Sequence, residues 1–528
     1  MKSVLTLLLF LNLATHSFLW ARSKQALEIN TLVITHITVI DATGAPAKSD
    51  MSVVISGDRI TALGKAAQVR TPKGAQVVDA NGKYLIPGLW DMHVHTLWRD
   101  WSETFFPMFI ANGVTSMRDM YGDLERLTQL RNEQALGKLL APRVVASGPI
   151  VDGPKPVWPG SISVSNESEA RQAVTSLKQR GVDFIKVYTL LPREAYLALA
   201  NEAKKQGIPF AGHVPHSVGA AEASDAGQRS IEHLSDILLA CSTDEAELRA
   251  EMLEARMNPK SPIASQDRIR ARLNRLLDTY SEAKATDLFA RFVRNGTWQC
   301  PTLTQLRGDT FIEDGNFTND SRLKYIPPSV KEIWDPRDVR AGYRMAVGFD
   351  LAKRGFQKQL EVVGAMRRAG VEFLAGTDTP NPYCFPGFSL HDELALLVET
   401  GLTPMEALQS ATLCPAKYLG KLDSLGTVES GKIADLVLLN ANPLEDIRNI
   451  QKINIVIIGG RLISPSERQE MLAEVEATTN QRASGWFIDM LVSHMIESAM
   501  VVVLLTIFLP FYLYYRQKRR RVRSLREP

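Results

Sequence analysis

The sequence predicts an α/β chain: a (β/α)8 TIM barrel with a small β-sandwich domain built from both flanks, plus a C-terminal transmembrane helix. Three observations lead there. Between residues 87 and 423, apolar strand-like runs alternate with helical patterns, the signature of a parallel sheet. On either side lie short β-rich segments that have too few partners to fold alone. Near the end, an uncharged apolar stretch precedes a basic cluster.

Taken in order, the N-terminus carries Lys2, an apolar run from Val4 to Leu13, and small residues at Ala14, Ser17 and Ala21. That layout is expected of a signal peptide over residues 1–22, with a core too short for a comfortable span. The first flank, residues 30–86, then reads as strands, with the Gly57-Asp58 turn joining Met51–Ser56 to Arg59–Leu63 as a hairpin. Its partners are sought in residues 424–465, where Gly426–Leu439 and Ile453–Ile463 are again strand-like.

Eight runs follow one another inside the flanks: Tyr84–His95, Gly113–Asp119, Arg143–Pro149, Asp183–Tyr188, Pro209–Val214, Ser230–Leu234, Trp298–Leu303 and Glu372–Asp378. Eight strands with helices between them describe the barrel of residues 87–423, whose chemistry belongs at the C-terminal strand ends. Two inserts, 242–296 and 304–356, are longer than barrel loops usually are and are read as a lid.

At the far end, residues 486–515 form the expected anchor region, with a span over 498–515. The tail 516–528 holds seven Lys or Arg and one Glu, a charge of 7 − 1 = +6 out of the formal +3 for the chain. The rest therefore sums to −3, which excludes a nucleic-acid partner. A signal at one end and a basic stop at the other predict a single-pass membrane protein, its catalytic body extracytoplasmic (periplasmic or extracellular) and its C-terminus cytoplasmic. The four cysteines form no Cys-x-x-Cys and suggest neither a zinc knuckle nor a disulfide framework.

Polar residues gather at the ends of the barrel runs. His93 and His95 are two apart on a strand and so share a face, as a metal-binding pair requires. Lys186 lies in the otherwise apolar Phe184–Tyr188, where a buried ammonium must lose its charge or find an anion. His213, His233 and Asp378 end the fifth, sixth and eighth runs. Asp91 shares the face of the first pair and is a candidate hydrogen-bond acceptor behind it. His16, His36, His391 and His494 read as ordinary core or loop residues.

The order His-x-His, Lys, His, His, Asp on strands one, four, five, six and eight resembles the amidohydrolase superfamily in its two-metal form, in the branch with imidazolonepropionase and metal-dependent prolidases. The segments Pro87–His93 and Gly431–Val437 are similar to that superfamily's entry to and exit from the barrel, and the resemblance runs from Leu32 to Ile463. It implies two divalent ions, zinc the expected metal: His93, His95 and Asp378 on one, His213 and His233 on the other, with carboxylated Lys186 as the bridge. It also implies Asp378 as the catalytic proton carrier. On the substrate side the candidates are Arg118, Tyr188, His216 and Trp158. Arg118 is placed to grip a substrate carboxylate, or to pair locally with Asp119 or Glu125.

The expected activity is hydrolysis of amide or peptide-like C–N bonds, with an Xaa-Pro-type dipeptide first among substrates. A cyclic amide or an N-acyl amino acid comes next, and lactone or phosphotriester hydrolysis stays open. A binding or scaffold protein on a degenerate barrel is the non-enzymatic alternative, and a homo-oligomer is admissible.

Overall fold

The computed structural model describes residues 31–98, 101–258, 260, 265–312, 315–334 and 347–481. Its centre is a ring of parallel strands: β1 (Leu89–Val94), β2 (Val114–Asp119), β3 (Arg143–Ala146), β4 (Ile185–Val187), β5 (Phe210–Gly212), β6 (Ser230–Glu232) and β7 (Trp298–Cys300). Neighbours pair in parallel from β1 to β3 and from β4 to β7. The N–H of Asp183 donates to Ala146 O across the gap between β3 and β4.

Residues 372–378 are the eighth stave. They are held by isolated parallel bridges, Gln299 to Phe373 on one side and Val94 to Thr379 on the other. The backbone N–H of Met92 donates to Ala375 O at 2.8 Å, that of Asp378 to His93 O at 2.7 Å, and that of His95 to Thr379 O at 2.8 Å. These bonds close the ring, and they set Asp378 against the His-x-His pair.

The outer helices follow from spacing and caps. In Glu167–Gln179 the buried residues Ala170, Ala173, Val174 and Leu177 form one stripe, and the Asn166 side chain accepts from Glu169 N at the N-terminus. Arg193–Gln206 stops at Gly207, whose φ of 65° is the left-handed conformation that a glycine tolerates. Glu282–Asn295 buries Ala285, Leu288, Phe289 and Phe292 at the same spacing and ends at Gly296.

That helix packs on the barrel core, as does Phe349–Arg368 through Phe356, Val362, Val363 and Met366. Both belong to the outer ring, although the first falls within the insert 242–296 and the second begins inside the insert 304–356. What stands apart from the ring is shorter: Glu245–Met257 and Gln266–Asp278 after β6, and short helices between Leu303 and Trp334 after β7.

The flanks form one hydrogen-bonded set of eight strands. Thr31–Val39 pairs on one edge with Lys48–Ser56, and on the other first with Gln76–Asp79 and then with Tyr84–Pro87. Tyr84–Pro87 pairs antiparallel with Leu436–Leu439, so the two flanks meet at the entrance and exit of the barrel. Ile34, Ile37, Val53, Ile55, Leu85, Leu436, Leu438 and Ile457 give this sheet its own apolar cluster.

The transmembrane helix is corrected. Among the described residues no helix is long and apolar enough to cross a membrane. The signal peptide at 1–22 and the span at 498–515 lie outside the described residues, and the single-pass extracytoplasmic placement built on them falls with the helix.

Gly376 shows how tightly the eighth stave is seated. A Cβ there would lie 2.6 Å from Cys300 Sγ, 2.8 Å from His93 Cβ and 2.9 Å from His93 N. Gly376→Ala is expected to cost about 1–3 kcal/mol in urea unfolding, the usual range for overpacking, and to lower activity by displacing His93. A variant as stable as the parent would show that this strand contact is loose.

Candidate metal centre

His93, His95, Lys186, His213, His233 and Asp378 all stand at or beside the C-terminal ends of the staves, and the ring brings them together. The ring centroid of His93 is 5.3 Å from that of His95 and 4.5 Å from that of His233, and His213 is 4.9 Å from His233. Asp378 Oδ1 is 2.9 Å from His95 Nε2 and 3.4 Å from His93 Nε2, while Oδ2 is 3.6 Å from His233 Nδ1. His233 (φ 59°) and Asp378 (φ 58°) both adopt left-handed backbone, rare for non-glycine residues and concentrated at functional sites.

Three imidazoles are held from behind. His93 Nδ1 is 2.7 Å from Glu232 Oε2, His213 Nδ1 is 3.0 Å from Thr189 Oγ1, and His233 Nδ1 is 2.7 Å from Thr302 Oγ1. Such contacts fix the ring orientation. The inner atoms are left without partners. His93 Nε2, His95 Nδ1, Lys186 Nζ and Asp378 Oδ1 are all buried with no hydrogen bond.

A buried polar atom without a partner costs free energy, so several in neighbouring side chains call for a ligand. His93, His95 and Asp378 each offer an atom within 4.8 Å of the others. A cation satisfies all of these except an ammonium, and the Lys186 Nζ fits only as an uncharged or modified group.

The electrostatics agree. Burial lowers the pKa of His93 and His213 well below the ordinary value and that of His233 to about 4, so all three are neutral imidazoles, the ligand form. Burial would raise the pKa of Asp378, but His233 and His95 outweigh it and leave the carboxyl below its usual range. Lys186, 1% exposed, is brought down to about 8 by burial, against the pull of Glu232 and Asp378. A second group, His93, Glu232 and Cys300, also comes within range of one ion. Burial holds the Cys300 thiol well above its usual pKa, and both oxygens of Glu232 are already occupied, so this group does not suit a cation.

The remaining candidates separate. Arg118 is fully buried in the barrel interior: Nε donates to Met92 O, Nη1 to Ser230 Oγ and Tyr418 OH, and Nη2 to both oxygens of Glu232. It grips no substrate, and it pairs with neither Asp119 nor Glu125. Asp91 accepts from the His93 backbone N–H and from Thr377 N and Oγ1, so it fastens the first stave to the eighth and leaves the imidazoles alone. Burial takes its pKa up to about 7.

Tyr188 stacks on His213 at 4.1 Å, and its hydroxyl accepts from Trp158 Nε1 at 2.8 Å. Trp158 in turn meets Trp98, which meets Tyr121, and Tyr121 faces His95. These four aromatics make a wall beside the histidines. His216 points away, into a pocket with Met252, Arg256 and Leu273 of the helices after β6. Glu232, Thr189, Thr302, Trp98 and Tyr121 escaped the sequence reading. For Glu232 a signal existed, since an acid inside a short apolar strand next to His233 must be paired.

Comparison with known proteins agrees with this geometry. The model of the amidohydrolase family matches residues 84–463. Imidazolonepropionase of Pseudomonas putida (strain GB-1) is 25% identical over 427 residues, which cover 76% of this chain and 90% of that protein. Among solved structures, a bottromycin amidohydrolase superposes with a TM-score of 0.66 at 23% identity, covering 85% of this chain and 90% of its own. A Xaa-Pro dipeptidase crystallised with methionine in its active site gives 0.59 at 22% identity, covering 82% and 100%. The chain belongs to the amidohydrolase family, whose members generally use divalent metal ions, and it is a hydrolase acting on carbon–nitrogen bonds.

Proposed function

We propose that the chain hydrolyses the amide bond of small acyl amino acids, foremost Xaa-Pro-type dipeptides, at a two-metal centre with zinc as the metal. The unpartnered buried atoms of His93, His95 and Asp378, with Lys186 among them, support this reading, because bound cations and a modified lysine would satisfy them. His93, His95 and Asp378 would hold one ion, and His213 and His233 the other. Bound there, the ions supply Lewis-acid polarisation of a carbonyl and make water more acidic.

Lys186 is suited to bridge them as a carbamate. Its lowered pKa leaves about a tenth of the side chain as free amine at pH 7, far more than an ordinary lysine. An amine adds to carbon dioxide and releases a proton, and the product is an anion with two oxygens. Gly212 makes room for the stem: its own Cβ would fall 3.0 Å from Lys186 Cδ and 2.1 Å from Val187 O.

Asp378 is placed to move the proton. The side chains of His95 and His233 beside it are partly exposed, whereas His93 is sealed, so substrate and water enter on their side. The carboxylate takes a proton from water and returns it to the leaving nitrogen. The aromatic wall of Trp98, Tyr121, Trp158 and Tyr188 suits an apolar ring such as proline. A cyclic amide is the second reading, favoured by the likeness to imidazolonepropionase along 90% of that protein's length.

A panel of Xaa-Pro dipeptides, N-acyl amino acids and cyclic ureides tests the substrate. Turnover is expected on the first two, and cleavage of cyclic substrates alone would replace the first reading with the second. Asp378→Asn keeps the shape but not the basicity, and turnover is expected to fall roughly a hundredfold to ten-thousandfold, the range for a lost general base. Near-parental turnover in a metal-replete Asn variant would assign the proton transfer elsewhere. Lys186→Ala is expected to lose the bridged pair of ions, with partial recovery of activity on adding short carboxylic acids. Elemental analysis finding the full metal complement in the untreated variant would contradict the bridge.

A further inference from the structure

The Nδ1 side of His93 is occupied by an ion pair to which the reaction proposed above assigns no part. Glu232 and Arg118 are both fully buried. Glu232 Oε2 is 2.7 Å from His93 Nδ1 and receives Arg118 Nη2 at 2.9 Å, and Oε1 receives Arg118 Nη2 at 2.9 Å and Ser230 Oγ at 2.5 Å. Arg118 is itself saturated by Met92 O, Ser230 and Tyr418. It therefore ties the second stave to the first and the sixth, and to Tyr418, which follows the eighth.

We propose that Glu232, held by Arg118, is the positioning residue that fixes His93 with its proton on Nδ1 and its lone pair on Nε2. The inference rests on His93 being a metal ligand. Glu232 reaches the ring because strand side chains alternate: it points inward from β6, and the left-handed turn at His233 brings the next residue to the same centre. Its carboxylate already receives two bonds from Arg118 and one from Ser230, so toward His93 it has only acceptor capacity. The imidazole must donate from Nδ1, which turns Nε2 toward Asp378 and His95, where it is left without a protein partner. Without the ion pair, both tautomers of His93 are open, and half of the ring orientations present an N–H to the cation.

The consequence is local. The ion on His93, His95 and Asp378 depends on Glu232, whereas the other, on His213 and His233, is oriented by Thr189 and Thr302. Glu232→Gln keeps the size and most of the packing, but its amide can donate to His93 and favour the wrong tautomer. The full chain is examined in two forms. In metal-free protein, nitrogen chemical shifts of His93 report the tautomer. In protein titrated with cobalt(II), the binding isotherm and absorption spectrum report each ion.

The parent is expected to show His93 protonated on Nδ1. The Gln variant is expected to lose that state and to bind one of the two cobalt ions about ten- to a hundredfold more weakly, the usual loss for such a partner. Glu232→Asp is expected to restore part of that affinity. A folded Gln variant with unchanged tautomer and unchanged isotherm overturns the proposal, since a merely structural role would change stability alone. If Glu232→Gln fails to fold, the pair Arg118→Met with Glu232→Gln removes the unmatched buried charge and is read in the same way. Parental protein that binds no cobalt would overturn the metal reading as well, whereas two ions bound equally by parent and variant overturn only the positioning role.

Discussion

Four buried polar atoms without hydrogen bonds, on His93, His95, Lys186 and Asp378, are the constraint on which the rest of the molecule depends. Each unpartnered donor or acceptor costs about 1–3 kcal/mol, and a fold does not keep several side by side unless something else meets them. The barrel supplies the framework that bears this. Its closing bonds, from the N–H groups of Met92, Asp378 and His95, run through the residues that carry the site. Strand pairing and ligand convergence are thus one event, and Gly376 is small because His93 lies directly across from it.

Behind the centre, the barrel interior is polar where a β/α barrel is usually packed with branched aliphatics. Arg118, Glu232, Ser230, Asp91 and Thr377 fill it, and the bonds they make leave little slack. A buried pair of this kind is seldom the most stabilising choice, because hydrophobic residues of equal volume often do as well. What it gives here is orientation. The rings of His93, His213 and His233 each meet a fixed oxygen on the outer nitrogen, and the centre is prepared before any ligand arrives.

Much of this was legible in the sequence, and the exceptions have physical causes. His93 and His95 could be read because a strand repeats every two residues, and Lys186 because an ammonium in an apolar strand has no bland explanation. Arg118 was misread: its position at a strand end suggested the open face, yet its long side chain runs back into the interior. Glu232 was passed over because a short strand shows no period. Glu282–Asn295 was assigned to an insert because its segment is charged, although its other face is the apolar stripe of a barrel helix, and the start of Phe349–Arg368 was hidden in a segment read as irregular and aromatic. Which sheet the flanks would make was out of reach, since pairing partners several hundred residues apart leave no local trace. Thr189 and Thr302 likewise look like any loop threonine until the imidazoles are in place.

The central claim is that the converged set at the strand ends is a working metal centre. Stripping the protein with a chelator, then following hydrolysis and thermal unfolding as a divalent ion is returned, tests it most directly. The account predicts that the stripped protein is inactive and melts at a lower temperature, and that both properties return together as the sites fill. Full turnover in protein shown by elemental analysis to be metal-free would contradict it.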